Sequence, residues 1–222
     1  GERVVVATRD RSGAPWRTVV MGGRPSESRD VQAAVGRNGL IVVAWANLTR
    51  RAQELRVATA LPGREPRTVQ RLRLGNGWSA SPRLTTTASG IVLLAYRDAP
   101  PGRTSRVVVR RMRASGSGFG VYRTVGTGTA QVALTAAGEG AVVAWTRPFQ
   151  RDRPRAAFSR RLTGGGAAQE QPVLITRDAG GTLRLAGGPD WRSLASWVRP
   201  ARDGRAAAAF TRSLRPVLRP AR

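Results

Sequence analysis

Arginine side chains are concentrated in four short polar segments that recur about fifty residues apart along the chain. A guanidinium group presents a planar fork of N–H donors that fits carboxylate, sulfate and phosphate groups. The alternative is a set of solvated loop tips with local Arg–Asp pairs, each of which contributes little. The candidate ligand-binding residues in these segments are Arg50, Arg51, Arg97, Arg103, Arg147, Arg151, Arg153, Arg199, Arg202 and Arg205.

The composition restricts the chemistry open to this chain of 222 residues. Its 38 basic residues are all arginines, against 13 acidic residues, and the net charge is +25. This charge favours an acidic polysaccharide or another polyanion as partner, and a protein partner stays open. The competing explanation of the arginine content is a GC-rich genome, whose codon composition favours Arg. The sequence has no His and no Cys, so we expect no metal site, no cofactor and no thiol chemistry.

The elements that position these segments follow from an internal repeat. An apolar run ending in an aromatic residue recurs at Trp45, Tyr96, Trp145 and Trp197, with intervals of 51, 49 and 52 residues. A glycine turn and a first short strand precede the run in each copy, and two further short strands follow it. Short strands separated by turn residues every dozen positions indicate an all-β protein. A fixed period of this length indicates one supersecondary unit that has been copied several times.

Four antiparallel strands in each copy of about fifty residues predict the blade of a β-propeller. We predict a single domain over residues 1–222, with a half blade at 1–25 and four blades at about 30–75, 82–126, 130–176 and 181–220. The half blade has the third and fourth strands but not the first two. We therefore expect an arc of four and a half blades that exposes a blade face, as in a fragment of a larger ring. No apolar run is long enough for a membrane helix.

One turn resembles a motif of known propellers. The segment from residue 8 to residue 16 has Thr8, Asp10, Gly13 and Trp16 at the spacing of the Asp box, and so is similar to the repeats of the sialidase-like family. In that family the Asp box is a structural turn on the face opposite the active site. An Asp side chain can accept backbone N–H bonds and fix such a turn, and we expect Trp16 to pack inward. The resemblance also implies a secreted or extracytoplasmic location.

The sequence offers no complete set of sialidase catalytic residues. As a family, sialidases use an Arg triad, a Tyr nucleophile paired with Glu, and an acidic Asp. Tyr96 and Tyr122 both stand at repeat positions that predict packing roles, and no Glu is placed opposite either of them. The sequence therefore predicts a binding or scaffold module that is not an enzyme. A glycoside hydrolase acting on acidic glycans and a nucleic-acid binder are the alternatives, because the separation of two carboxylates is a spatial quantity.

Overall fold

The computed structural model describes residues 3–9, 13–21, 27–48, 53–74, 81–147, 155–177, 179, 182–188, 192–199 and 208–214. These residues form antiparallel sheets, which we call the half-blade and blades 1 to 4. The half-blade consists of β1 (Val4–Thr8) and β2 (Arg17–Met21). Blade 1 consists of β3 (Glu27–Val35), β4 (Ile41–Leu48), β5 (Gln53–Ala60) and β6 (Arg67–Leu74), with a 3₁₀ turn at Arg37–Gly39.

The remaining blades repeat the same up-and-down order of strands. Blade 2 consists of β7 (Arg83–Thr86), β8 (Val92–Asp98), β9 (Arg106–Arg111) and β10 (Arg123–Thr127). Blade 3 consists of β11 (Gln131–Ala137), β12 (Gly140–Thr146), β13 (Ala157–Leu162) and β14 (Val173–Thr176). Blade 4 consists of β15 (Arg184–Gly187), β16 (Ser193–Arg199) and β17 (Ala208–Leu214). Its predicted fourth strand, near residues 216–218, lies outside the described residues.

Consecutive blades pack face to face through one apolar core at each boundary. The innermost strands β3, β7, β11 and β15 contact one another in this order, so they line the centre of the arrangement. The predicted repeat aromatics occupy equivalent positions on the second strands, and all of them are buried: Trp45, Tyr96, Trp145 and Trp197. Because side chains alternate along a strand, each aromatic packs on the preceding sheet, while in blades 1 to 3 its neighbours pack on the following blade.

The turns between the first two strands of each blade are joined across the boundaries by backbone hydrogen bonds. The Arg37 amide donates to the Gly90 carbonyl at 2.8 Å, and the Ala88 amide donates to the Gly138 carbonyl at 3.1 Å. The Gly138 amide in turn donates to the Gly188 carbonyl at 3.3 Å. Glycines therefore recur in these turns because neighbouring backbones approach each other closely there.

Gly187 gives a direct test of this close approach. A Cβ built on Gly187 would lie 1.9 Å from the carbonyl oxygen of Ala136 in the neighbouring blade. We expect Gly187→Ala to lower the free energy of unfolding by about 1–3 kcal/mol, because backbone must move to accommodate the methyl group. Chemical denaturation measures the change. Gly165→Ala is the matched control, since its Cβ would meet nothing closer than 3.4 Å; equal stability of the two variants would contradict the packing described here.

Among the described residues, apolar side chains are exposed on the outward faces of the first and last sheets. Val5 and Val20 lie opposite each other on the half-blade and are both exposed. On blade 4, Leu194 and Ala186 are paired and exposed on the face that points away from blade 3. In the blades before blade 4, the face that points toward the next blade is covered by the next sheet.

Two predicted packing roles are wrong. Trp16 does not pack inward: it is 60% exposed, and the Arg9 guanidinium lies 4.9 Å from its ring centroid. Tyr122 is also exposed, between the guanidinium groups of Arg106 and Arg110 at 5.0 and 5.4 Å. Both aromatics directly precede the outermost strand of a sheet, where there is little neighbouring structure to cover them. Their ring faces are instead covered by arginines, a cation–π arrangement.

Candidate functional site at the arginine loop end

The second-to-third strand loops and the connections between blades lie at one end of the sheets, which we call the loop end. This follows from the strand directions, because β4, β8, β12 and β16 all finish there. Of the ten candidate arginines, Arg97, Arg103 and Arg147 have described side chains. For Arg199 only the backbone, in β16, is described. The other candidates lie outside the described residues: Arg50, Arg51, Arg151, Arg153, Arg202 and Arg205.

Two of the described arginines face the same boundary, between blades 2 and 3. Arg97 is the cross-strand partner of Val107, which belongs to the core between these blades, so its side chain points to the same face. The Arg147 guanidinium lies 4.5 Å from the ring centroid of Phe158, which packs against this core from the blade 3 side. Partial burial lowers the pKa of Arg97. Arg103 lies in the loop itself and is exposed.

The acidic residue of the blade 2 loop is bound by a strand arginine rather than by Arg103. Asp98 accepts hydrogen bonds from Arg106 Nε at 2.8 Å and from Arg106 Nη2 at 2.7 Å. The two residues are direct cross-strand partners in β8 and β9. The hydrogen bond that Arg106 donates to Asp98 raises the pKa of Arg106, against the opposing effect of burial. The two contacts between Arg106 and Asp98 fix the start of the loop.

Tyr96 is a core residue, as predicted, and its hydroxyl group is hydrogen-bonded. The Tyr96 Oη accepts a hydrogen bond from Arg110 Nε at 3.1 Å, and Arg110 Nη1 donates to the Gly120 carbonyl at 2.7 Å. Burial raises the pKa of Tyr96, and the hydrogen bond and charge of Arg110 oppose this increase. A phenol that keeps its proton and sits within the core is not arranged as a nucleophile.

A backbone irregularity brings an aspartate to the loop end. Asp30 lies where β3 bulges, between Arg29 and Gln32, and its φ is 54°. Ser81, in the connection that leads to the next blade, has a φ of 38°. Its Oγ lies 3.5 Å from Asp30 Oδ2, at the outer limit of a hydrogen bond. Two of the three described non-glycine residues with positive φ thus contact each other across a blade boundary. Such conformations cost energy and are concentrated at functional sites.

Sequence reasoning missed Asp30, Ser81 and Arg106. The repeat pattern does not mark Asp30, because a bulge breaks the alternation from which strand faces are inferred. Arg106 is the first residue of β9, and its partnership with Asp98 depends on the strand register. Asp98 ends β8 and Arg106 begins β9, so the two residues lie opposite each other across the loop. This placement is the signal that could have identified the ion pair.

In the part of the chain that the structure describes, no group of three or more His, Cys, Asp or Glu side chains is placed to hold a metal ion. Among the same residues, no helix has the length and apolar character needed to span a bilayer.

The same arrangement of sheets occurs in solved structures of low sequence identity. A protein of unknown function from Dyadobacter fermentans matches with a TM-score of 0.58 at 16% identity, over 82% of this chain and 51% of that chain. A thermostable family-43 glycoside hydrolase matches with a TM-score of 0.52 at 10% identity, over 83% and 70%. A GH43_1 enzyme from Xanthomonas citri complexed with xylotriose matches with a TM-score of 0.54 at 10% identity, over 84% and 70%. The chain is a β-propeller.

These similarities show the fold of the propeller and not its activity. The chain spans about half the length of the Dyadobacter protein. No model of a known protein family matches the sequence, and no curated protein matches it. The propeller part of the sequence-based resemblance is confirmed, whereas no solved structure cited here supports its sialidase part: the two enzymes among them are family-43 glycoside hydrolases. Asp10 lies outside the described residues, so the Asp box stays a prediction.

The comparisons overturn the prediction that the propeller is not an enzyme. Glycoside hydrolases are among the solved structures with this fold. The prediction depended on the absence of His, Cys and a placed Tyr–Glu pair. Hydrolysis of a glycosidic bond needs none of these groups, because most glycoside hydrolases use two carboxyl groups. With 13 acidic residues, this chain has the required residue type.

Proposed function

We propose that this propeller is a glycoside hydrolase that acts on an acidic glycan at the loop end. The observation that carries the proposal is the position of Asp30 at a blade boundary, where it has a positive φ and an exposed carboxylate whose Oδ2 lies 3.5 Å from Ser81 Oγ. The shared fold with family-43 glycoside hydrolases supports this class of reaction.

Asp30 is our candidate for one of the two carboxyl groups of such a reaction. A glycosidase needs one carboxyl group that protonates the leaving oxygen and a second that acts as base or nucleophile. Asp98 is committed to Arg106, so it is a poor candidate for the second role. The sequence places Asp152, Asp178 and Asp203 in segments that join strands at the loop end. We propose that one of these three supplies the second carboxyl group.

The charge of the propeller supports an acidic rather than a neutral glycan. A net charge of +25 attracts any polyanion, so retention on an anionic column does not identify a site. Arg97 and Arg147 at one blade boundary, together with the arginines of the neighbouring loops, would give the loop end the forked donors that bind carboxylate or sulfate groups.

A comparison of two sets of arginines tests whether this charge forms a site. We expect replacement of Arg151, Arg153, Arg202 and Arg205 by Gln to weaken binding of heparin far more than replacement of four arginines elsewhere. The control set lies at or near the opposite end of the sheets and is exposed: Arg64, Arg67, Arg113 and Arg123. Both quadruple variants lose four positive charges, so any difference in their affinity for heparin is due to where the replaced arginines lie.

Titrations at several salt concentrations sharpen this comparison. Each lost ionic contact should lower the salt slope of binding, as it does for phosphate contacts to nucleic acid. Equal losses of affinity in both sets would mean a diffuse field without a site. A larger loss for single-stranded nucleic acid than for heparin in the loop-end variant would favour the nucleic-acid alternative over a glycan.

Turnover is the direct test of the proposed reaction. The protein is incubated with uronic-acid-containing oligosaccharides, sulfated oligosaccharides and neutral xylo-oligosaccharides, and new reducing ends are measured. We expect release from an acidic substrate and less release from the neutral ones. No turnover on any glycan under these conditions would reject the hydrolase, whatever the affinity measured for the same compounds.

A further inference from the structure

The loop between β8 and β9 has a conformation that its own residue types determine. It comprises residues 99–105, and we call it the Pro–Pro loop because Pro100 and Pro101 are consecutive. The Arg103 amide donates a hydrogen bond to the Pro100 carbonyl at 3.2 Å, and Gly102 has a φ of 67°. Proline followed by a glycine with positive φ is the pattern of a type II β-turn. Arg103 therefore directly follows a tight turn.

Both ends of the Pro–Pro loop are anchored by hydrogen bonds. At its start, Arg106 Nε and Nη2 donate to Asp98 Oδ2 at 2.8 and 2.7 Å. At its end, Ser105 Oγ donates to the Thr129 carbonyl at 2.9 Å and accepts from the Thr129 amide at 3.0 Å. The Gly128 amide also donates to the Ser105 carbonyl, at 2.6 Å. A loop that is held in this way loses little conformational freedom when it binds a ligand.

The ion pair at the start of the loop decides what Arg103 can bind. The sequence left open that the loop arginines only form local pairs with the loop aspartates. In blade 2 the strand residue Arg106 binds Asp98, and Arg103 forms no ion pair with another described residue. Arg103 is exposed. Its guanidinium group is thus presented to solvent on a fixed backbone, where it can donate to an anionic group of another molecule.

The Pro–Pro loop stands beside the other described arginines of the loop end. Arg97 directly precedes Asp98 at the start of the loop. At the other anchor, a Cβ built on Gly128 would lie 3.9 Å from Arg147 Cγ. Arg97 and Arg147 face the boundary between blades 2 and 3, so the loop is fastened next to this boundary.

We propose that the Pro–Pro loop is a preorganised recognition element in which Arg103 binds a carboxylate or sulfate group of the glycan. The identity of the ligand as a glycan rests on the proposed function, but the inference concerns binding and not hydrolysis. Asp98, Arg106 and Ser105 are positioning residues in this proposal. They act on affinity through the loop that presents Arg103, because a rigid loop has a smaller ordering cost on binding.

The first test measures the affinity for a heparin oligosaccharide of defined length by isothermal titration calorimetry at constant salt. We expect Arg103→Gln to weaken binding about tenfold, since hydrogen bonds to charged groups are among the strong ones. Arg113→Gln is the matched control: it removes the same charge from an exposed position near the opposite end of blade 2, and should weaken binding about twofold at most. If the effect of Arg103→Gln persists with the desulfated oligosaccharide, the bound group is a carboxylate, and if it vanishes, the group is a sulfate.

Asp98→Ala distinguishes positioning from overall charge by the sign of the effect. The substitution removes an acidic residue, so a diffuse positive field predicts tighter binding of heparin. We expect binding to be weakened about threefold to tenfold instead, because the loop loses the anchor at its start. Glu170→Ala is the control, since Glu170 pairs with Arg161 at the opposite end of blade 3 and carries the same charge. It should not weaken binding.

Pro101→Gly tests the same idea without any change of charge and at an exposed position. It loosens the turn, and we expect weaker binding with a larger entropic cost. In the Arg103→Gln background, Pro101→Gly should have no further effect, because a positioning residue acts only through the residue it positions.

Three results would overturn the proposal: equal affinities of Arg103→Gln and Arg113→Gln, tighter binding by Asp98→Ala, and additive effects of Pro101→Gly and Arg103→Gln. All of these measurements report binding. The expected affinities without turnover on any glycan would reject the hydrolase and keep the recognition loop. Turnover without the expected affinity changes would reject the loop and keep the hydrolase.

Discussion

Replacing Trp145 by Ala should lower the free energy of unfolding by about 3–5 kcal/mol, the usual cost of removing a large core aromatic. Trp145 is 2% exposed and lies in the core between blades 2 and 3. Its ring stacks on Phe158 with centroids 5.9 Å apart. One edge of the indole rests on the backbone of Gly126, where an added Cβ would lie 2.5 Å away. Truncation therefore leaves a cavity between the backbone of Gly126 and the ring of Phe158.

Chemical denaturation followed by circular dichroism measures this effect. Trp16→Ala is the matched control, because the same side chain is removed from an exposed position. The control should change stability by no more than about 0.5 kcal/mol, as surface substitutions usually do. A loss below about 1 kcal/mol for Trp145→Ala would contradict the placement of the repeat aromatics in the core.

Asp30→Asn should reduce kcat/KM for the acidic glycan by about 10²–10⁴, the contribution typical of a positioned general acid or base. An amide has nearly the shape of a carboxylate but cannot accept or deliver the proton. Asn also tolerates the positive φ that Asp30 adopts, and its carbonyl oxygen can still face Ser81. The variant should therefore fold with unchanged melting temperature, so that a lost rate reports chemistry.

The control for Asp30 is a carboxylate far from the loop end. Glu65 is exposed in the turn between β5 and β6, which lies at the opposite end of blade 1. Glu65→Gln removes the same type of group and should leave kcat/KM unchanged. Full activity of Asp30→Asn would remove Asp30 from the reaction. Asn variants of Asp152, Asp178 and Asp203 then extend the search for the second carboxyl group at the loop end.

The sequence by itself determined the repeat and most of the core. Spacing of the aromatics predicted four equivalent second-strand positions, and all four are buried as expected. This works because an apolar run that recurs at a fixed period must serve the same packing role in each copy. The sequence also indicated the loop end, because loops at equivalent repeat positions lie on the same side of the sheets.

Tertiary structure alone decided the polar contacts and the exposed surfaces. Asp30 and Ser81 are 51 residues apart and meet only because a bulge and a blade boundary coincide. Trp16 has the same residue type as buried Trp145 but directly precedes the outermost strand of the half-blade and is exposed. Local sequence sets strand faces and periods, but the burial of a given side chain depends on which sheet packs against it. Burial therefore depends on the arrangement of whole blades and on individual backbone dihedral angles. Residue type alone determines neither of these.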